Sequence, residues 1–306
     1  NFITKIWSAN NFLKLNKCKL LKKVSLKNIH IPVNKWIYNE FIETQNIASR
    51  HIENFRFDEA SRVVYKFVWH SYCDWYLEFL KPIFNSGNTR DITEARNFSS
   101  FMMSNILKVL HPFIPFFTET LWSKNKYDIF LKTPLITAEW LTLKKLTNFN
   151  TSHKNIESII EIISNIRSTK AELNITPKLF CDIIFFEKSK HLKKLIKNNI
   201  EIIQQVGRVS ELNDEKITSV NTIEILILKE KMALKFNENI DIVSQKNRIL
   251  DKIKNIESKI KNLNNKLLNK AYLSNAPKNI VQNDKVLLSE LTIEENKLRS
   301  IVSSIN

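Results

Sequence analysis

Hydrophobic residues recur at steps of three and four through most of the first 125 positions. One apolar stripe runs over residues 37–55, a second over 60–75 and a third over 95–110. This spacing places the apolar side chains on one face of a helix. Pro112 and Pro115 then interrupt the third stripe, because a proline disfavours helical geometry in the residue before it. With an opening helix and a short one after Pro115, the pattern predicts five helices packed up and down.

After this helical region the periodicity is lost and returns in a different form. Residues 126–151 have the pattern of an irregular connector, which predicts a domain boundary. A helical stripe follows over 156–166. The apolar run at 179–186 and the loose alternation at 222–227 predict two strands, with a Lys-rich helix over about 189–205 between them. This segment is predicted to be a small α+β unit.

The last section has the most regular pattern. Apolar residues from 242 to 267 follow a heptad, and a second seam runs from 280 to 305 after a break at 269–277. Two such seams predict helices that fold back on each other as an antiparallel coiled coil. The predicted fold class is mainly α. Its three parts are an up-and-down helical bundle at 1–150, a small α+β linker unit at 151–238 and a C-terminal antiparallel coiled-coil hairpin at 239–306.

Charge and composition narrow the function. The 306 residues include 47 Lys+Arg and 31 Asp+Glu, for a formal net charge of +16. Such a surplus favours a polyanionic partner. The chain has only two glycines, Gly87 and Gly207, which excludes Gly-rich nucleotide loops and the G-x-S-x-G nucleophile elbow.

The cysteines and the apolar runs bear on the compartment. Three cysteines lie far apart, so neither a disulfide framework nor a C-x-x-C metal site is expected, and a reducing, cytoplasmic location fits best. No stretch approaches 18 apolar residues, so no membrane association is expected. The first residue is not Met and no signal-peptide pattern follows, so we expect the sequence to be cut from a longer chain.

No catalytic or metal-ligating residues are predicted. The six histidines do not form a metal-binding pattern, and His51, on an apolar stripe, is interpreted as structural. Asp74 and Glu78 lie one helical turn apart, which resembles an acid/base pair, but carboxylates at this spacing more often pair with a cation such as Lys81 or Arg62.

Binding is better supported than catalysis, because basic residues form two groups. Residues 245–285 include ten Lys/Arg and three Asp/Glu, a net charge of +7. This charge suits binding to the phosphates of an RNA backbone. Solvated lysines, or an arm that binds a partner or dimerises, are the alternatives. In the first 27 residues lysines interleave with aromatic residues, the chemistry for contacting phosphates and stacking bases. These residues are Lys5, Trp7, Phe12, Lys14, Lys17, Lys19, Lys22, Lys23 and Lys27.

Motifs in the bundle resemble a known family. Residues 1–12 resemble the opening helix of the anticodon-binding domain in class I aminoacyl-tRNA synthetases for valine, isoleucine and leucine. The segments 57–60, 67–70 and 73–78 resemble the long bundle helix of valyl-tRNA synthetases, and 110–116 resembles the next segment of that domain.

The end of the chain selects among the three amino acids. Residues 266–269 followed by Ala276-Pro277, between two heptad helices, resemble the coiled-coil arm of bacterial valyl-tRNA synthetases. Residues 166–177 resemble the segment that joins bundle and arm. The resemblance covers nearly the whole chain in order. An isoleucyl or leucyl synthetase stays a smaller alternative, as do a free-standing tRNA-binding factor and a coiled-coil interaction protein.

The resemblance implies a parent enzyme that attaches valine to tRNA(Val) using ATP with Mg. Its catalytic and editing signatures are not found here and would lie upstream of Asn1. The chain is therefore expected to belong to an enzyme, a valine–tRNA ligase, but not to catalyse by itself. We expect it to bind tRNA(Val), to hold no cofactor, to meet valine and ATP only through the missing domain, and to be a monomer.

The resemblance also implies site residues. By analogy with related synthetases, the first helix reads anticodon bases, which points to Asn1, Lys5 and Trp7 as candidates. Trp7 shares part of a helical face with Phe2 and Ile6, so its burial is the alternative. In the arm, four candidate lysines would contact phosphates without reading sequence. They are Lys259, Lys261, Lys266 and Lys270.

Overall fold

The computed structural model describes most of the chain in two compact units, Asn1–Ile160 and Glu161–Asn306. The predicted division into three domains stays a prediction. The described residues are 1–20, 24–140, 145–146, 150–186, 190–213, 222–236, 242–269, 272 and 276–304.

The first unit is helical, in agreement with the predicted mainly α class. Five longer helical stretches occur among its described residues, because α3, a π-helical segment and α4 follow one another without a break. The elements are α1 (Phe2–Leu15), α2 (Pro32–Glu53), α3 (Phe57–Lys66), the π-helical segment (Phe67–Tyr76), α4 (Leu77–Asn85), α5 (Thr89–Leu110), α6 (Pro115–Lys124) and α7 (Tyr127–Leu131). The next helix, α8 (Asn150–Glu172), runs from the first unit into the second.

Large aromatic side chains fill the core of this unit. Tyr76 and Trp122 are fully buried, and each finds a partner for its polar atom. The Tyr76 hydroxyl donates to Asn34 Oδ1 at 2.8 Å, and Trp122 Nε1 donates to the carbonyl of Thr133 at 3.0 Å. Such bonds remove the cost of burying a lone donor. The bond from Tyr76 also fixes α2 against the π-helical segment.

A carboxylate from α5 caps the start of α2. Pro32 stands in the first turn of α2, where its missing N–H costs nothing. Glu94 accepts from the backbone amides of His30 and Ile31 at 3.0 Å each, and from Asn34 Nδ2 at 3.0 Å. An anion at a helix N-terminus satisfies free amides and complements the helix dipole. One side chain thus joins two helices that are distant in sequence.

The second unit contains a four-stranded sheet. Its strands are β1 (Cys181–Phe185), β2 (Val209–Asn213), β3 (Thr222–Ile227) and β4 (Glu230–Phe236), in the order β2-β1-β4-β3. β1 pairs parallel with β2 and antiparallel with β4, and β3 pairs antiparallel with β4. The pattern predicted β1 and β3 only.

The single Lys-rich helix predicted for residues 189–205 is instead two helices. They are α9 (Lys190–Asn198) and α10 (Ile200–Gly207), and Ser189 lies outside the described residues. Asn199 separates them, since its backbone (φ −130°, ψ 28°) departs from helical geometry while its side chain donates to the carbonyl of Leu195.

Two long helices, α11 (Ile242–Leu268) and α12 (Lys278–Ser304), form the predicted hairpin. Ion pairs join them near the middle and near the turn. Lys252 Nζ lies 2.6 Å from Glu294 Oε1, and Lys266 Nζ lies 2.9 Å from Asp284 Oδ2. From the first pair to the second the position advances along α11 and goes back along α12, so the helices are antiparallel.

Candidate nucleic-acid interface

Helix α1 presents one buried and one open face. Ile6, Ala9, Asn10 and Leu13 are its buried residues, at the spacing of a single helical stripe. Asn1, which precedes the first turn, is exposed. The remaining side chains of α1 are exposed or half-buried, so the open face carries the lysines and aromatic residues of this segment.

Lys5 is held within the protein. Its Nζ lies 2.5 Å from Asp74 Oδ1 and 3.9 Å from the centre of the Trp69 ring. Both contacts come from the π-helical segment, whose wider turns are common at functional sites. A lysine in an ion pair and over an aromatic face has its charge already matched in part. Any phosphate or base that Lys5 contacts must compete with Asp74.

Trp7 is open to solvent. Its residue is 37% exposed while the neighbouring Ile6 is buried, so the alternative of burial does not hold. Lys124 Nζ lies 5.3 Å from the centre of the Trp7 ring. An exposed indole beside a lysine has the chemistry to stack a base and bind its phosphate.

An aromatic cluster beside Lys5 was not found from the sequence. Phe2 lies 4.8 Å from Tyr65 between ring centres, and Tyr65 stacks on Trp69 at 5.5 Å. Tyr65 is 42% exposed. The signal that could have found this cluster is the i, i+4 spacing of Tyr65 and Trp69, which places both rings on one helix face.

In the hairpin, the apolar seam is not buried uniformly. Ile249, Ile253 and Ile256 on α11 and Leu298 on α12 are buried, whereas Leu287, nearer the turn, is exposed. The part of the hairpin near its turn therefore offers open surface. Since the basic residues also gather there, that surface is positively charged.

The four candidate lysines of the hairpin differ in their surroundings. Lys259 and Lys261 are exposed, and no ion-pair partner for either is found among the described residues. Lys266 contacts Asp284 and stands 4.6 Å over the Tyr272 ring, whose hydroxyl bonds the same carboxylate at 2.6 Å. Lys270 lies outside the described residues.

The cluster of Lys266, Tyr272 and Asp284 shifts the pKa values of its members. The hydrogen bond from Lys266 lowers the pKa of the Asp284 carboxyl, with a second contribution from the Tyr272 hydroxyl. The bond to Asp284 in turn raises the pKa of Lys266, so the lysine stays charged. Lys266 therefore orders the end of the hairpin, while Lys259 and Lys261 present unmatched charge.

The two carboxylates that resembled an acid/base pair each have cationic partners. Asp74 contacts Lys5 and also His70, whose Nδ1 lies 3.3 Å away. Glu78 pairs with Lys81, as its spacing suggested, whereas Arg62 pairs with Glu59. Each carboxylate therefore forms its own ion pair, as expected for structural residues, and the two do not form an acid/base pair.

A metal site and a membrane-spanning helix are both absent from the part of the chain that the structure describes. It contains no group of three or more His, Cys, Asp or Glu side chains able to hold a metal ion. Across the same residues, none of the helices combines the length and the apolar character needed to cross a membrane.

Two family models match parts of the chain. Residues 34–185 match the family model of the anticodon-binding domain of tRNA ligase, and residues 241–306 match that of the valyl tRNA synthetase tRNA binding arm. Helix α1 lies before the first match, and all four candidate lysines of the hairpin lie within the second.

Similar proteins match along the chain. The valine–tRNA ligase of Pelagibacter ubique is 34% identical over 305 residues, which cover 100% of this chain and 34% of that protein. Those of Rhizobium meliloti and Caulobacter vibrioides are 28% and 29% identical, again over 100% of this chain and over 32% and 34% of their own lengths. The chain thus spans about a third of the length of the curated relatives it matches.

Proposed function

The chain belongs to the valyl-tRNA synthetase family, and from that premise we propose that it binds tRNA(Val) for an enzyme that attaches valine to this tRNA. The observation that carries the proposal is the basic hairpin, which coincides with the match to the tRNA-binding arm. In the parent enzyme, ATP with Mg would be used by a catalytic domain outside this chain.

The two units would divide the work. In the first, Asn1, Lys5 and Trp7 are proposed to face the anticodon, with the exposed Trp7 ring stacking a base. Lys5 is already paired with Asp74 and lies over the Trp69 ring. It would hold this aromatic ring in place and contact the RNA only at the margin of the interface.

The hairpin is proposed to contact the tRNA backbone. Phosphate contacts fix the position of an RNA without reading its sequence. Lys259 and Lys261 suit this role because their charge is unmatched, whereas Lys266 is shared with Asp284. Lys270 belongs to the same proposal on its sequence position alone. We further propose that the chain binds no cofactor of its own and acts in the cytoplasm, within a monomeric enzyme.

The test is a comparison of tRNA affinities. The purified chain is titrated with a tRNA(Val) transcript and with the same transcript carrying an altered anticodon, at two salt concentrations. Tighter binding of the first is expected, with an affinity that falls as salt rises. Equal affinities for the two transcripts, both sensitive to salt, would contradict anticodon reading and indicate a basic surface that binds RNA regardless of its sequence. No binding of either transcript would favour the coiled-coil interaction protein.

A matched pair of tryptophan variants locates the contact. Trp7→Ala is expected to weaken binding of the cognate transcript by about fivefold or more, since base–aromatic stacking contributes about 1–3 kcal/mol per base. Trp140→Ala is the control, because Trp140 is 40% exposed, close to the exposure of Trp7. Equal effects of the two variants would remove Trp7 from the interface.

A further inference from the structure

A cavity of about 450 Å³ opens in the first unit beside the last turns of α1. Leu13 and Lys14 of α1 line one side, Ser100 of α5 lines another, and the junction of α6 and α7 from Lys124 to Phe130 closes it. Its volume falls within the range of about 300–1,000 Å³ that is usual for small-molecule sites. The space is large enough for one nucleotide.

The charge around this cavity is of one sign. Four lysines belong to its lining as described, and no carboxylate does. The carboxylate nearest in sequence, Asp128, accepts from the amide of Ile129 at 2.9 Å. An apolar cavity with a cationic rim attracts an anion and holds it more strongly than open water would. The four lysines are Lys14, Lys19, Lys124 and Lys126.

One buried donor in the lining has no hydrogen-bond partner among the described residues. Asn10 is 2% exposed, and its Nδ2, which is closed to solvent, makes no hydrogen bond within that part of the chain, while its Oδ1 accepts from Asn125 Nδ2 at 2.7 Å. Leaving a buried donor unmatched is costly, and such atoms in native structures ask for an explanation. The Tyr127 hydroxyl, which also belongs to the lining, donates to the carbonyl of Ser100 at 2.9 Å. The Asn10 amide therefore has a hydrogen bond still to make, and an acceptor oxygen that enters the cavity receives it when this amide turns toward the lining.

The rest of the lining suits a flat apolar ring. Phe130 is 39% exposed at the rim, and Leu13 forms part of the floor. Lys124 lines the cavity and also stands over the exposed Trp7 ring, so the cavity continues the open surface of α1. An aromatic ring, an apolar floor, one amide donor and several lysines together match a base with a carbonyl oxygen and its phosphate.

We propose that this cavity takes one unpaired nucleotide of the bound RNA. The base would lie against Phe130, its carbonyl oxygen would accept from Asn10 Nδ2 once this amide turns into the cavity, and the flanking phosphates would lie on Lys14 and Lys124. The proposal rests on the proposed function, since it supposes that the chain binds tRNA.

The experiment separates the base contact from the charge contacts. Phe130→Ala is expected to weaken tRNA binding about tenfold without changing its salt dependence, because stacking does not release counterions. Lys14→Ala with Lys124→Ala is expected to lower the slope of log K against log salt by about 1.4 to 1.8, or about 0.7–0.9 per phosphate contact.

The matched controls leave the cavity intact. Phe116→Ala removes a ring that is 90% exposed on α6, away from the lining. Lys66→Ala with Lys154→Ala removes two exposed lysines of the same unit. Both controls are expected to bind tRNA as the wild type does. Chemical probing of the bound tRNA adds a direct test, since one base protected in the wild-type complex should become reactive in the Phe130→Ala complex.

The outcomes distinguish the two proposals. Unchanged affinity and protection in the Phe130 and Lys14/Lys124 variants, with weaker binding by Trp7→Ala, would overturn the nucleotide site and leave the proposed function standing. If uridine 5′-monophosphate saturates the cavity at micromolar concentration while Phe130→Ala leaves tRNA affinity unchanged, the site serves a free nucleotide and the RNA proposal is wrong. A wild-type chain that binds no tRNA would overturn the proposed function itself.

Discussion

Replacing Lys170 by Met should destabilise the second unit. Lys170 lies on α8, is 2% exposed and donates from Nζ to the carbonyls of Leu179 at 2.8 Å, Arg208 at 3.3 Å and Gly207 at 3.4 Å. Two of these carbonyls stand at the C-terminal end of α10, where a helix carries partial negative charge. One ammonium thus joins the end of α8 to the end of α10 and to the segment before β1.

The magnitude follows from the bond lengths and the cost of burial. A hydrogen bond from a charged group contributes about 1.5–3 kcal/mol net, and only the bond to Leu179 is short. The two longer bonds add less, and the cost of burying a cation acts against all three. Met keeps the length and apolar stem of Lys170 but removes its donors. We expect Lys170→Met to lower the free energy of unfolding by about 2–3 kcal/mol.

The assay must report on this unit rather than on the whole chain. Urea unfolding followed by circular dichroism gives the stability, and hydrogen exchange of β1 and α10 localises the change. Lys178→Met is the matched control, because Lys178 is exposed and lies close in sequence. The control is expected to change the free energy of unfolding by less than about 0.5 kcal/mol.

The pH dependence gives an independent check. Burial lowers the pKa of Lys170 below its ordinary value of 10.5. The folded state therefore releases the proton more readily than the unfolded state, and wild-type stability relative to Lys170→Met should rise as pH increases from neutrality toward 10.5. If Lys170→Met were as stable as the wild type at pH 7, the cost of burying the cation would equal or exceed its hydrogen bonds, and the reasoning would be refuted.

The remaining predictions concern the hairpin and the cap of α2. Lys259→Ala and Lys261→Ala should each weaken tRNA binding and lower its salt slope by up to about 0.9, whereas Lys178→Ala, outside the hairpin, should leave the slope unchanged; unchanged slopes in all three would mean that the hairpin lysines are only solvated. Glu94→Ala should lower the free energy of unfolding by about 2–4 kcal/mol, since three donors lose their acceptor. Denaturant unfolding compares this variant with Glu53→Ala, which removes an exposed carboxylate at the C-terminal end of α2. Equal effects of the two variants on the free energy of unfolding would contradict the capping role.

The helices could be predicted where one face is buried and the other is open. The stripes at 37–55 and 95–110 became α2 and α5 because their apolar residues share one face. The strand β4 escaped notice because Met232, Ala233 and Leu234 are buried consecutively, so the sequence does not alternate. β2 is mostly polar and is held by its parallel pairing with β1, a contact that no local pattern contains.

The site could be predicted as residue types but not as partnerships. Spacing and charge identified the basic and aromatic groups of the hairpin and of α1, and the family resemblance pointed to the individual site residues within them. The partner of Lys5, Asp74, lies 69 positions away, and Asn10 meets Asn125 across 115 positions. Such contacts depend on how the helices pack, and the cavity beside α1 exists only once α1, α5 and α7 have been brought together.

Because the lysines have different surroundings, the net charge of +16 does not by itself predict the salt dependence of RNA binding. Lys170 is buried on carbonyl oxygens, Lys5 is matched by Asp74, and Lys266 is matched by Asp284, so none of these adds a full charge to a surface that RNA could contact. Lys259 and Lys261, which are exposed, each add a full charge to such a surface. Because the salt slope counts phosphates neutralised at the interface, it should follow the number of such unmatched lysines rather than the formal charge. Lys14 and Lys124 of the cavity belong to the same unmatched group. A slope close to the number of unmatched lysines at the interface, and well below the formal charge of +16, would mean that ion pairs and burial within the protein withhold part of its lysines from RNA binding.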